Sequence, residues 1–281
     1  MIIVTGATGA LNGATTDHLL ASLPAEDLAV VTRDPAKARH LAERGVGVRR
    51  GNYADPASLP AAFDGADQLL LVSSNDPFAD AVVSHRAAIA AAVDVGVGRI
   101  LYTSHQGAAA NSPFAPARDH AATEETLARC GLPWTSLRNG FYAHSLGWLA
   151  GPWRSTGVIR IPADGPVSWT AREDAAEAAA AIILSDGAYD GPVTITAPEA
   201  PTFADVAESA STLVGRAVGV EVVDSEQWVG EQVAAGAPEP QVRFSLGMYE
   251  AAAGGFFAGV DRLLTDLLGR APRTARDALV A

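Results

Sequence analysis

Apolar positions in the first half of the chain come in two alternating rhythms. Ile2–Thr5 is a short apolar run that ends in glycine, and Leu11–Leu23 then carries helical spacing, so strand, turn and helix follow one another. The unit recurs. Leu28–Thr32 reads as a strand, Pro35–Glu43 as a helix capped by Asp34 with Pro35 in its first position, and Gly47–Arg50 as the next strand. Asp55-Pro56 opens another helix. Gln68–Ser73 is a continuous apolar strand of the kind buried on both faces of a parallel sheet, and Ala79–Val95 a long helix. Arg99–Ser104 gives a fifth strand, Ala115–Arg129 a helix closed by Gly131, and Trp134–Arg138 a sixth strand. Strands alternating with helices in this way predict an α/β fold, a doubly wound parallel sheet with right-handed crossovers and helices on both faces.

Beyond residue 142 the rhythm breaks. Gly, Pro and Trp crowd residues 147–169 before an Ala-rich helix at Ala171–Leu184. Pro192–Thr196 reads as a strand, Phe203–Val214 as a helix and Val218–Val223 as a strand, and the rest is mostly helix with a break at Ala237–Pro240. The expected organisation is a nucleotide-binding domain over residues 1–142, completed by about 167–198, with a smaller substrate lobe from 143–166 and 199–281.

Composition narrows the function. At 281 residues, 48% hydrophobic and 19% charged, the chain has ordinary globular composition and length enough for a large core. Twenty Lys+Arg against 32 Asp+Glu give a net charge of -12, which repels a nucleic-acid backbone. Neither a nucleic-acid partner nor a membrane partner is expected. The single cysteine, Cys130, allows no internal disulfide, and the opening Met-Ile-Ile-Val-Thr-Gly lacks the features of a signal peptide, so a cytoplasmic monomer or homodimer is expected. The six histidines form no metal-binding pattern, and no Gly-x-Ser-x-Gly elbow is present.

The most informative stretch lies between the first strand and the first helix: Gly6, Ala7, Thr8, Gly9, Ala10, Leu11, Asn12. Gly6 permits a tight turn, Gly9 lets the backbone approach a pyrophosphate, and the helix beginning near Ala10 aims free N–H groups and its positive dipole end at that anion. This is the Rossmann-type arrangement. Asn12 stands where the third glycine of the spacing is usual, and a side chain there is expected to obstruct helix packing or touch the cofactor. Val31-Thr32 ends the second strand without the carboxylate that would bind a ribose 2′-hydroxyl. Arg33 follows, with Lys37 one helical turn on, and this pair suits a 2′-phosphate, so NADP(H) is the expected cofactor.

Thr5-Gly-Ala-Thr-Gly9, Arg33-Asp-Pro-Ala-Lys37, Tyr102-Thr-Ser104, His120 with Thr123-Glu124, and Leu137-Arg-Asn-Gly-Phe-Tyr142 together resemble the NmrA-like atypical short-chain dehydrogenase/reductase family, in its branch of NADPH-dependent quinone and triphenylmethane reductases. The likeness runs almost end to end, including Trp169-Thr-Ala-Arg172 and Ala237-Pro-Glu-Pro240. It implies cofactor contacts at Gly6–Leu11, Arg33, Ser73, Ser74, Asn75, Thr103, Ser104, Leu137, Arg138, Asn139, Gly140, Phe141, Tyr142 and Arg172. Asn12 departs from the glycine of that branch.

Lys37 is the only lysine, so no Tyr-x-x-x-Lys pair exists to lower a tyrosine pKa for alcohol and ketone interconversion. Quinones and other conjugated acceptors make a smaller demand, because hydride can arrive first and water can supply the proton. An oxidoreductase acting on a small conjugated molecule is therefore expected, with His120, Tyr142 and Ser104 as candidate catalytic groups and His105 as a wall or a donor. Trp148, Trp153, Trp169 and Phe256-Phe257 line a pocket or pack in the core. A non-catalytic NADP(H) sensor acting through a protein partner, or a biosynthetic enzyme on the same scaffold, would share these features.

Overall fold

The computed structural model describes every residue except 75, 77, 78 and 281. The elements in chain order are β1 (Ile2–Thr5), α1 (Ala10–Leu20), β2 (Leu28–Thr32), α2 (Arg39–Ala42), β3 (Gly47–Arg50), α3 (Leu59–Phe63), β4 (Gln68–Leu71), α4 (Ala81–Asp94), β5 (Arg99–His105), α5 (Ala115–Arg129), β6 (Trp134–Asn139), β7 (Phe141–Tyr142), α6 (Leu146–Leu149), α7 (Trp153–Thr156), β8 (Val158–Ile161), β9 (Trp169–Thr170), α8 (Arg172–Leu184), β10 (Gly191–Ile195), α9 (Phe203–Val214), β11 (Gly219–Val222), α10 (Ser225–Ala234), α11 (Glu239–Ala253), α12 (Leu263–Leu268) and α13 (Ala275–Val280).

Seven strands form one sheet in the order β10-β6-β5-β4-β1-β2-β3. The strands β3, β2, β1, β4 and β5 pair in parallel, with Val4 facing both Val30 and Leu70 across the centre. Strand order reverses between β1 and β4, and open α/β sheets bind ligands outside the carboxyl ends of their strands at such a reversal. Every residue of β2 is buried, as its continuous apolar run requires.

The chain divides into two compact units, the first of residues 1–104, 119–138 and 173–193, the second of residues 105–118, 139–172 and 194–281. Ile3, Leu69, Ile100, Tyr102, Phe63 and Leu127 belong to the core of the first unit. The core of the second is richer in aromatics, with Phe141, Trp169, Phe203, Trp228, Tyr249 and Phe257.

Two expected helices are shorter than the spacing implied. Pro35–Ala38 is a 3-10 turn leading into the single α-turn Arg39–Ala42, and Pro56–Ser58 is a 3-10 turn before Leu59–Phe63. Proline sets the backbone for a helix start but donates no N–H, and these segments stop before a full amphipathic face develops. The crowded stretch 147–169 resolves into α6, α7, β8 and β9. Among the described residues no helix is long and apolar enough to cross a membrane.

Candidate active site

In the first unit the turn after β1 is shaped by Gly6, whose φ of 68° favours glycine; a Cβ there would lie 2.7 Å from Val72 Cγ1. Gly9 N–H donates to Gly6 C=O at 2.9 Å, and α1 begins at the next residue. Gly9 offers no side-chain cap and the first turn carries no acid, so the dipole end of the helix is left for an outside anion. Thr8, Gly9 and Ala10 are exposed, whereas Ala7 is buried.

Asn12 corrects the sequence expectation. Its side chain does not push the helix away; it turns into the core, 1% exposed, and Nδ2 donates to the Thr5 carbonyl at 2.8 Å. Thr5 is a second residue whose role the sequence did not announce. Its hydroxyl accepts the Val72 N–H at 2.8 Å and lies 2.7 Å from the Tyr53 phenol, which joins the ends of β1 and β4 at the strand-order reversal.

At the end of β2, Asp34 acts as the expected cap, its Oδ1 accepting the Ala36 N–H at 3.1 Å. Arg33 and Lys37 are both exposed. Arg33 Nη1 lies 3.2 Å from Asp76 Oδ2.

After β4, Ser73 N–H donates to Thr103 Oγ1 and Ser74 N–H to His85 Nε2, at 2.8 and 2.7 Å. The ring therefore accepts at Nε2, and its Nδ1 proton points to Thr123 Oγ1 at 2.8 Å, whose own hydroxyl donates to the Asp119 carbonyl. Burial drives the His85 pKa down to about 4, against a smaller opposing pull from Asp80. Asn75, an expected cofactor contact, falls outside the described residues.

Ser104 donates to Glu124 Oε1 at 2.8 Å, and Ser136 reaches the same oxygen at 2.6 Å. Arg138 Nε donates to Oε1 at 2.9 Å, and its second arm pairs with Oε2. The Ser104 proton is thus committed to a carboxylate, so this hydroxyl is an acceptor toward any ligand. Leu137, between these polar neighbours, is fully buried. His120 Nδ1 lies 2.8 Å from the phenol of Tyr102, a fully buried residue whose pKa is raised by burial. The phenol remains protonated, and its oxygen can either donate to the imidazole Nδ1 or accept from it.

The second unit carries the other expected residues. Gly140 N–H donates to Ile195 C=O at 2.8 Å, and a Cβ on Gly140 would fall 2.1 Å from Thr170 Oγ1, so only glycine fits between Asn139 and β7. Asn139 is 3% exposed, its Nδ2 3.4 Å from the Tyr142 phenol, and its Oδ1 is a buried acceptor with no hydrogen-bond partner among the described residues. Burial pushes the Tyr142 pKa up to about 12, against smaller opposing pulls from the Arg172 charge and the Asn139 hydrogen bond. The Arg172 guanidinium sits 5.5 Å from the Tyr142 ring centre. His105 is ringed by Phe114, Phe141 and Phe257, its Nδ1 accepts the Gly107 N–H at 3.0 Å, and burial lowers its pKa to about 4, which favours the neutral ring.

Trp153, Trp169 and Phe257 are core residues, and Phe256 packs against that core. Trp148, 53% exposed, instead lines a cavity of about 420 Å³ with Leu149, Val158, Arg160, Trp228 and Tyr249. Among the described residues, none of the expected cofactor or catalytic residues lines it. Among the described residues no three His, Cys, Asp or Glu side chains gather as a metal site would require.

Residues 1–252 match the model of the NmrA-like family. The chain belongs to this family. A relative, quinone oxidoreductase 2 of Escherichia coli strain K12, is 34% identical over 241 residues, covering 85% of this chain and 83% of its own. The NAD(P)H azoreductase of Xenophilus azovorans is 32% identical over 277 residues, covering 98% of this chain and 95% of its own. Among solved structures, the NADPH-dependent quinone oxidoreductase of Escherichia coli complexed with NADPH superposes with a TM-score of 0.92 at 30% identity, over 100% of this chain and 99% of that one. The Citrobacter sp. triphenylmethane reductase complexed with NADP(H) gives 0.86 at 32% identity, over 99% and 98%. The NmrA-like chain thus shares the Rossmann-type α/β fold of reductases solved with bound dinucleotide.

Proposed function

We propose that the protein is an NADPH-dependent oxidoreductase that transfers hydride to a quinone-like or otherwise conjugated small molecule. The observation that carries this reading is the acid-free, uncapped start of α1 beside the glycine turn at the strand-order reversal. Relatives that reduce quinones and azo compounds, and solved neighbours holding NADPH, support it.

The residues suit that cofactor. Backbone N–H groups of Ala7–Leu11 would hold the pyrophosphate, and Arg33 with Lys37 the 2′-phosphate. Asn139 Oδ1 is a buried acceptor without a donor among the described residues, and a carboxamide N–H is a donor of that kind. Ser104, with its proton given to Glu124, can accept a ribose hydroxyl. When bound, the reduced nicotinamide supplies one hydride and is left oxidised.

The chain's own part is binding, orientation and proton supply. An acceptor oxygen left anionic by hydride arrival would take its proton from His120 or from water. Tyr142, protonated well above neutral pH, can donate a hydrogen bond but is not prepared as a tyrosinate base. This matches an acceptor whose reduced form is already a stabilised anion.

Purified protein should oxidise NADPH steadily with a panel of quinones; no turnover above background across the panel would remove the proposal. His120→Ala should lower kcat by roughly 10²-fold if the imidazole supplies the proton, general acid–base assistance being of that order.

A further inference from the structure

Asp34, the carboxylate nearest in sequence to Arg33, is engaged as a cap. A different carboxylate reaches the guanidinium from 43 residues away: Asp76 Oδ2, 3.2 Å from Arg33 Nη1. Open α/β folds select NAD by a carboxylate near the ribose and NADP by a cation in the same place. Here both charges stand together, the cation after β2 and the anion after β4. The pair is accessible, its side chains 71% and 33% exposed, so an incoming anion can exchange with the carboxylate. The segment leading to Asp76 is anchored at its base, because Thr103 and His85 accept the Ser73 and Ser74 N–H groups.

We propose that Asp76 is a second determinant of cofactor choice, acting through Arg33, which it holds until a 2′-phosphate displaces it. The proposal rests on the assignment of Arg33 to that phosphate. Two effects follow, both specific to the phosphorylated nucleotide. The phosphate must take Arg33 from an existing partner, and the released carboxylate then lies beside a like charge. NADH brings a neutral 2′-hydroxyl, from which Asp76 can accept a hydrogen bond. Asp76 therefore narrows the preference for NADPH that Arg33 creates.

The test is calorimetric titration of the full chain with NADPH and NADH for wild type, Asp76→Asn, Arg33→Ala and the double variant. Exposed ion pairs are weak, so Asp76→Asn should tighten NADPH by about two- to fivefold and leave NADH unchanged or weaker. In the Arg33→Ala background the gain should vanish, and Asp76→Glu should restore wild-type selectivity. Asp76→Ser serves the same purpose if the Asn variant folds poorly. NADPH binding that is unchanged or weaker in Asp76→Asn, an equal gain for NADH, or a gain that persists without Arg33 would overturn the proposal. If Arg33→Ala lowers both affinities equally, the 2′-phosphate assignment itself fails; if its loss is selective and Asp76→Asn is silent, only the role of Asp76 fails.

Discussion

Asn12 Nδ2 donates to the Thr5 carbonyl oxygen at 2.8 Å, so a side chain in the first turn of α1 closes the strand before it. The position is 1% exposed, so removing the amide takes a buried donor from the Thr5 carbonyl. Asn12→Ala should lower unfolding stability by about 1–3 kcal/mol, the cost of leaving a buried polar group unmatched. Asn12→Gly should cost about 1 kcal/mol more, from the helix penalty of glycine. Urea denaturation measures both, and an unchanged midpoint for Asn12→Ala would show that the contact does not support the turn.

Glu124 is 7% exposed and receives Ser104, Ser136 and Arg138, which makes it the centre of a buried polar knot. The Glu124 carboxylate raises the Arg138 pKa by hydrogen bonding, against a smaller penalty from burial. Removing one partner of a buried pair costs about 3–5 kcal/mol. The Arg138 side chain is 29% exposed, so Glu124→Ala should fall at the lower end of that range. Glu124→Gln, which keeps an acceptor, should lose less. Thermal denaturation of the two variants gives the comparison; equal stability of the two would mean that a neutral acceptor at this position recovers nothing.

The alternation of apolar runs and helical spacing made the parallel sheet readable through β6, because each strand and each crossover is a local pattern. The glycine turn and Arg33 were readable for the same reason, lying within one strand–helix unit. The Glu124 knot, the Thr5–Tyr53 contact and the hydrogen bond from Ser74 to His85 were not. Their partners come from different strands and helices, and a lone Tyr or His carries no periodic signal. The type and position of Asn12 are visible in the sequence, whereas the carbonyl that captures it depends on the angle at which α1 leaves the turn. Asp76 shows the same limit, since its partner lies 43 residues back.

Tyr142 has no lysine to lower its pKa, and burial raises it to about 12. Tyrosinate formation at this residue should therefore be absent through pH 10, where an ordinary tyrosine is half ionised. Absorbance near ~295 nm, where tyrosinate absorbs, should rise over the same alkaline range in wild type and Tyr142→Phe until about pH 11. A rise between pH 9 and pH 11 that Tyr142→Phe abolishes would show a Tyr142 phenol far more acidic than its surroundings dictate.

His85 accepts the Ser74 N–H at Nε2, and a proton on that nitrogen would set two donors against each other. An unfolded chain protonates this imidazole near its ordinary value of 6.5, whereas burial holds the folded form to about 4. Between those values the unfolded state binds more protons, so stability falls as acid is added, and the loss levels off below about pH 4 where both forms are charged. The ceiling for one such group is about 3 kcal/mol. His85→Gln keeps an acceptor for the Ser74 N–H but cannot be protonated. Its stability, measured by urea denaturation from pH 7 to pH 4, should decline less steeply than that of wild type, and the gap between the two curves isolates the imidazole from other acid-sensitive groups. Parallel curves would mean that His85 takes up its proton in the folded protein without breaking the Ser74 hydrogen bond, and that this contact does not hold the turn after β4.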